Sequence, residues 1–119
     1  MTDAIRGWID ERDALARKVN AEISKYEKLF EGACVLAEIA IGDTGEKWLT
    51  WDKTTDGKWC IWYGHRRRVP IRHGDPAAVA LHDASLNVRA DLVRELPRLA
   101  KAVEDALKDS VLELRRLCE

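Results

Sequence analysis

Four tryptophans and a group of basic residues lie close together in the middle of the chain. The tryptophans are Trp48, Trp51, Trp59 and Trp62. The basic cluster that follows contains His65, Arg66, Arg67, Arg68, Arg72 and His73. Guanidinium groups bind phosphates in a bidentate manner, and an indole ring can stack on a base. The pattern therefore predicts a site for a small anionic, nucleotide-like ligand, with Trp59 or Trp62 as the stacking ring.

Two simpler interpretations of the same residues stay open. The arginines of the basic cluster can be solvated, or can pair with carboxylates of neighbouring helices, as most runs of charge do. The tryptophans can be core and interface residues. In that case the helices of the chain cover one face of a sheet, and a second subunit covers the other.

Residue types that serve catalysis and metal binding are present without the spacing that these chemistries need. His82, Asp83 and Ser85 are the types of a nucleophile, base and acid set, but a triad is defined by its geometry in space. Ser85 or Asp83 is more simply the N-cap of a helix. The histidines are not spaced as zinc ligands, and the glycine motifs of phosphate-binding and hydrolase sites are missing. We therefore predict a non-enzymatic protein with no metal and no cofactor.

Composition predicts one globular domain over residues 1–119. The chain is 46% hydrophobic and 34% charged, and twenty basic against twenty-one acidic side chains leave a formal charge of -1. This balance argues against extended binding of duplex nucleic acid, which requires many phosphate contacts. No apolar run resembles a secretory signal or a membrane span, and three cysteines without a C-x-x-C form no disulfide framework. We expect a cytoplasmic protein without a membrane partner.

The first third of the chain predicts one long helix over residues 3–31, ended by Gly32. Its apolar residues recur at intervals of three, four and seven: Ile5, Ile9, Ala16, Val19, Ile23, Tyr26 and Phe30. Such a helix is about 43 Å long and exceeds what a small sheet can cover. Its far end therefore needs a partner.

A two-residue period then predicts an antiparallel meander, with strands over residues 33–41, 47–53 and 59–63 and a hairpin at Asp56-Gly57. A hairpin loop of two or four residues puts Leu49, Trp51, Cys60 and Trp62 on one face and Trp48, Thr50, Trp59, Ile61 and Tyr63 on the other. A loop of three or five residues instead offsets the faces of one strand relative to those of the other, and the sequence does not exclude such a loop. In each case tryptophans point to both faces. A fourth, edge strand is predicted over residues 68–72, where Pro70 excludes a central position.

The last third predicts helices. Residues 83–85 start a helical region that continues to the C-terminus, and Pro97 predicts a break near Leu96 and the start of a final helix of about 22 residues and 33 Å. The whole is an α+β fold with a long N-terminal helix, a three- or four-stranded antiparallel meander and a kinked long C-terminal helix. The excess helix length and the two-faced tryptophans together predict a homo-oligomer.

The hairpin and the helices after it resemble small accessory proteins encoded by phages and prophages. The residues that carry the resemblance, within about residues 48–107, are Trp51, Gly57-Lys58-Trp59, Tyr63, Asp83-Ala84-Ser85, Arg89 and Leu96-Pro97-Arg98-Leu99. The first helix is not matched, and no catalytic residue is carried over. The resemblance implies a phage or mobile-element setting, in which small oligomeric proteins block a host complex or capture a nucleotide signal.

The leading prediction is thus a homo-oligomeric anti-defence factor that captures a nucleotide-like anion. One alternative is a protein-protein inhibitor or assembly adaptor that docks a host or phage protein. Another is a nucleic-acid-binding regulator.

Overall fold

A long helix, a four-stranded antiparallel sheet and a C-terminal pair of helices follow one another along the described part of the chain. The computed structural model describes residues 2–43, 45–54, 56–64 and 78–119. The elements are α1 (Thr2–Leu29), β1 (Ala37–Ile41), β2 (Lys47–Lys53), β3 (Trp59–Gly64), β4 (Ala78–Ala80), a 3-10 turn (Leu81–Asp83), α2 (Leu86–Val93) and α3 (Leu96–Leu117). The sheet is a meander in the order β1-β2-β3-β4. The predicted α+β fold class is confirmed.

The hairpin between β2 and β3 sets the register of the sheet. Lys53 lies opposite Trp59, which leaves the five residues 54–58 in the loop and puts Trp51 opposite Ile61. The N–H of Thr54 donates to the carbonyl of Lys58 at 2.6 Å, and Gly57 has a φ of 88°, a conformation that favours glycine. The partition of faces predicted for a two- or four-residue loop is therefore wrong, and the odd-numbered alternative is correct.

One face of the sheet packs under the helices. The large side chains of β2 and β3 on this face are Leu49, Trp51, Trp59, Ile61 and Tyr63. They pack in one core cluster with Ile23 of α1, with Phe30 just after α1, and with Leu96, Leu99 and Val103 of α3. Two contacts fix Trp51 in this cluster. Its indole N–H donates to the carbonyl of Ala33 at 2.7 Å, and its ring contacts the ring of Phe30 edge-on, with ring centroids 5.2 Å apart.

The other face carries Trp48, Thr50, Cys60 and Trp62. Tryptophans therefore point to both faces, as predicted. The pairs on each face are nevertheless different from the expected ones, because Trp51 lies with Trp59 and Trp48 lies with Trp62.

The two edges of the sheet differ most from the prediction. β1 begins at Ala37 rather than near residue 33. β4 has only three residues, Ala78–Ala80, and pairs with the end of β3. The strand predicted over residues 68–72 lies outside the described residues.

The predicted helix boundaries are confirmed within two residues. Gly32, with a φ of 87°, follows the end of α1. The hydroxyl of Ser85 accepts a hydrogen bond from the N–H of Val88 at 3.4 Å, which identifies Ser85 as the N-cap of α2. α2 ends at Val93, and Pro97 lies in the first turn of α3, where its missing N–H costs no helical hydrogen bond.

Both long helices extend beyond the core as arms. The N-terminal arm is residues 2–15 of α1 and the C-terminal arm is residues 107–117 of α3, about 21 and 16 Å long at 1.5 Å per residue. The molecule measures 71 Å along its longest axis and 31 and 26 Å along the others. The N-terminal half of α1 lies beside α2, whereas the other end of α1 lies beside the middle of α3, from which the C-terminal arm continues. The two arms are therefore at opposite ends of the molecule.

Candidate interaction surfaces

The basic cluster predicted to bind the anion, His65, Arg66, Arg67, Arg68, Arg72 and His73, lies outside the described residues. The structure does fix where the segment that contains it starts and ends. Gly64 and Ala78 lie opposite each other in the β3–β4 ladder, and Gly64 is also opposite Trp48 of β2. The two described residues that flank the segment 65–77, Gly64 and Ala78, therefore lie side by side at one end of the sheet, beside Trp48.

Trp48 and Trp62 are buried on the face that the helices do not cover. Their exposed fractions are 2% and 5%, and Thr50 between them is fully buried. This burial is complete within a single chain. The expectation that a second subunit is needed to cover this face is therefore wrong, and the sheet supplies no argument for an oligomer.

The two candidate stacking rings are not brought together. Trp59 lies on the helix-covered face at the hairpin end of β3, half-buried and stacked on Trp51 with ring centroids 5.7 Å apart. Trp62 lies on the opposite face, and its indole N–H donates to the carbonyl of Asp52 at 3.3 Å. Trp62 is two residues from Gly64, whereas Trp59 is five residues away, about 16 Å along an extended strand.

Two hydrogen-bonding groups on the face of Trp48 and Trp62 have no partner among the described residues. They are Nε1 of Trp48 and the hydroxyl oxygen of Thr50, and both atoms are buried. Buried polar groups are normally paired. Sequence reasoning did not single out Thr50, because a threonine in a strand is ordinary.

His82 contacts a carboxylate of α1. Its Nε2 lies 2.6 Å from a carboxylate oxygen of Glu27 on α1. The other oxygen of Glu27 accepts a hydrogen bond from the N–H of Ile61 at 3.1 Å. Ser85, which belongs to the same set of catalytic residue types as His82, is the N-cap of α2.

Cys60 is a poor nucleophile in this fold. Partial burial, followed by the charges of Glu27 and Asp52, raises the pKa of its thiol to about 12. The thiolate is the reactive form of cysteine, so this thiol is inert near neutral pH. Cys34 and Cys118 are free and exposed.

Within the described residues, no group of three or more His, Cys, Asp and Glu side chains is arranged to hold a metal ion. No helix in the same part of the chain has the length and apolar character needed to cross a membrane.

The arms carry nine of the eleven large apolar side chains that are exposed among the described residues, and the other two are Leu29 and Leu36. On the N-terminal arm these are Ile5, Trp8, Ile9 and Leu15, with Trp8 71% exposed. On the C-terminal arm they are Leu107, Val111, Leu112, Leu114 and Leu117, with Leu117 69% exposed. The sequence indicated this surface through the excess length of both helices, but the burial of each position required the structure.

Shallow apolar grooves lie where the arms meet the body. One, of about 310 Å³, runs between Trp8, Leu15 and Val19 of α1 and Leu86 of α2. Another, of about 390 Å³, lies between the end of α1 at Phe30 and the middle of α3 as far as Leu107. A third, of about 410 Å³, continues along the C-terminal arm past Val111. The apolar surface of α3 thus continues from the core onto its arm.

No protein-family model, curated protein or solved structure is significantly similar to this chain.

Proposed function

We propose that the chain is a non-catalytic binding protein that works as a homo-oligomer. The observation that supports this most directly is the apolar surface of the two arms, which the other described elements leave largely exposed. Contiguous exposed apolar patches of this kind are typical of protein interaction sites. Light scattering at micromolar concentration tests the proposal, and a stable monomer would contradict it.

For the ligand, we propose a small nucleotide-like anion bound by the basic cluster, captured in a phage anti-defence setting. Support comes from the pairing of Gly64 with Ala78, since these two residues flank the arginine-containing segment and lie next to Trp48 and close to Trp62. The unpartnered Nε1 of Trp48 and hydroxyl of Thr50 offer hydrogen bonds on the same face. Because Trp62 is only 5% exposed, stacking on it requires the ring to be uncovered first.

Calorimetric titration with cyclic and linear nucleotides tests this ligand. Tryptophan fluorescence provides a second signal, since uncovering Trp62 changes its surroundings. Combined Arg66→Ala, Arg67→Ala and Arg68→Ala should abolish binding and leave the unfolding midpoint unchanged. Absence of heat with every nucleotide at submillimolar concentration would rule out the ligand, but not the oligomer.

The second candidate function is an inhibitor or assembly adaptor that docks a host or phage protein. It is favoured by the same exposed arms. A pulldown from host lysate should then recover one dominant protein, and Leu114→Glu should release it. The arginine-to-alanine variant should retain it, because this mode of binding does not use the basic cluster.

The proposal includes a cytoplasmic location. Cys34 and Cys118 are exposed free thiols, and Cys60 is also unpaired. Free exposed thiols fit a reducing compartment better than an oxidising one.

A further inference from the structure

We infer that two copies of the chain form a two-fold dimer in which the N-terminal arm of each copy lies antiparallel along the C-terminal arm of the other. The inference rests on the proposed homo-oligomer and specifies which surfaces meet. Four observations support it. They are the row of exposed apolar side chains on each arm, which we call its stripe, the exposed apolar area, the positions of the arms at opposite ends of the molecule, and the charge of the arms.

Each exposed stripe continues the stripe that packs in the core. On α3 the apolar surface passes from Leu99 and Val103, which are buried, to Leu107, Leu114 and Leu117, which are exposed. These positions are three or four residues apart, or seven across the gap at Ser110, and therefore lie on one side of the helix. Leu112 lies on the opposite side of the same arm.

α1 also has a buried part and an exposed part, but on α1 the exposed part is at the N-terminal end. Ile23 and Phe30 are buried near its C-terminal end, whereas Ile5 and Ile9 are exposed on the arm. Trp8 flanks the stripe and borders the groove beside α2. Each helix is thus half packed inside the chain and half available to another helix, with an unchanged period.

The exposed area of both arms together matches a stable interface. Eight side chains form the two stripes and their flanks: Ile5, Trp8, Ile9, Leu15, Leu107, Val111, Leu114 and Leu117. They are between 37% and 71% exposed. Together they offer apolar surface on the order of the 800 Å² that each partner of a standard interface buries. One arm alone offers about half of that area, less than a standard interface needs.

The positions of the arms then decide how copies pair. A contact between like arms covers one stripe and leaves the other exposed at the far end, where it can recruit a further copy. Such contacts produce an open chain of molecules. Exchange of unlike arms about one two-fold axis covers both stripes of both copies and closes the assembly at two.

Charge on the arms is compatible with self-pairing. Residues 2–15 carry four acids against two bases, and residues 107–117 carry two acids against three bases. Neither arm has the strong charge of one sign that would select a highly acidic or basic partner. Antiparallel packing also sets the helix dipoles in opposite directions, which is favourable.

A mixing experiment tests the exchange. One variant carries Ile5→Glu with Trp8→Glu, and the other carries Leu114→Glu with Leu117→Glu. Neither variant should dimerise alone. In a dimer of two identical copies, each of the two arm contacts would contain one substituted arm and one intact arm. An equimolar mixture should form a heterodimer weaker than the wild-type dimer, since one of its two contacts pairs an intact N-terminal arm with an intact C-terminal arm. Light scattering and analytical ultracentrifugation measure both states.

The control is Leu112→Glu, which introduces the same charge at a 60% exposed position on the other side of the C-terminal arm. It should dimerise like the wild type. Circular dichroism and the unfolding midpoint check that all variants fold, which is expected because the substituted side chains are exposed.

The outcomes are distinct. Dimers of either variant alone, or a mixture that stays monomeric even at concentrations far above those at which the wild type dimerises, would overturn the arm exchange while leaving the homo-oligomer in place. A monomeric wild type would remove both, and capture of one host protein by that monomer would assign the arms to the adaptor function.

Oxidation provides an independent measurement. Cys118 follows the C-terminal arm, so in the exchanged dimer it lies far from Cys118 of the partner subunit. In a Cys34→Ala background, mild oxidation should therefore give no disulfide-linked dimer on a non-reducing gel. A linked dimer would show that the C-terminal arms pair in parallel, and the inference would fail.

Discussion

Glu27 and His82 lie in contact across the edge of the sheet, with Oε1 of Glu27 2.6 Å from Nε2 of His82. The second oxygen of Glu27 accepts the N–H of Ile61 in β3 at 3.1 Å. β4 ends at Ala80, opposite Trp62, so beyond that point β3 pairs with β2 alone and no described strand lies on its other side. One carboxylate thus joins α1, β3 and the 3-10 turn, and completes the hydrogen bonding where the short edge strand stops.

Glu27→Ala should lower the free energy of unfolding by about 2 kcal/mol, because it leaves the Ile61 N–H without its acceptor and removes the partner of His82. Urea unfolding followed by tryptophan fluorescence measures the change. Glu31→Ala is the control, since this glutamate is exposed at the end of the same helix. Equal loss of stability in both variants would show that the Glu27 contact contributes nothing.

The helices could be predicted from the sequence because their signals are local. The apolar period of three and four defines α1, and Gly32 and Pro97 mark a helix end and a helix start through their own backbone restrictions. Ser85 or Asp83 is predicted as a cap because a side-chain oxygen there can accept a free N–H of the first turn, and the structure selects Ser85. None of these features depends on residues distant in sequence.

The register of the sheet could not be predicted. The dipeptide Asp56-Gly57 indicates a turn but is compatible with loops of several lengths, and each added residue moves one strand to the other face. The five-residue loop is selected by the packing of Trp51 against Phe30, a contact between distant parts of the chain. A three-residue strand such as β4 is too short to show a period at all.

The candidate site, like the fold, can be predicted from the sequence only in part. The sequence shows that the basic residues and the tryptophans lie close together along the chain. It does not show on which face of the sheet each tryptophan ring lies. Burial of Trp48 and Trp62 within one chain depends on tertiary packing, and so does the role of Glu27, which is 34 residues from Ile61 in sequence. The exposed arms were expected because helix length follows directly from the apolar period.

Thiol reactivity should distinguish the three cysteines. Because the pKa of Cys60 is raised to about 12, this thiol stays protonated at pH 8, whereas Cys34 and Cys118 are exposed. A disulfide reagent at pH 8 should therefore titrate two thiols rapidly and the third slowly. Cys60→Ala should remove only the slow phase, and guanidinium should make all three equivalent. Three equal fast rates in the native protein would contradict the burial of Cys60.

Thr50→Val should stabilise the ligand-free protein by about 1 kcal/mol. The hydroxyl of Thr50 is buried without a partner in the described residues, and replacing it with a methyl group of similar shape removes an unsatisfied polar atom. Thr50→Ala is the matched comparison and should destabilise the fold, because it also removes a methyl group from a packed position. A destabilising Thr50→Val would show that the hydroxyl is hydrogen-bonded in solution.

Val103→Asp should lower the free energy of unfolding by about 3 kcal/mol or more, because it places an unpaired carboxylate in the core. Val103 is 3% exposed and packs with Leu99 and Phe30 at the point where α3 leaves the body for its arm. The control is Leu36→Asp, which introduces the same charge at a position that is 48% exposed, and should change stability little. Measurements at several protein concentrations separate the two roles of α3. If Val103 serves the fold, its effect should persist at dilutions where the dimer has dissociated, whereas a loss seen only at high concentration would assign Val103 to the contact between copies.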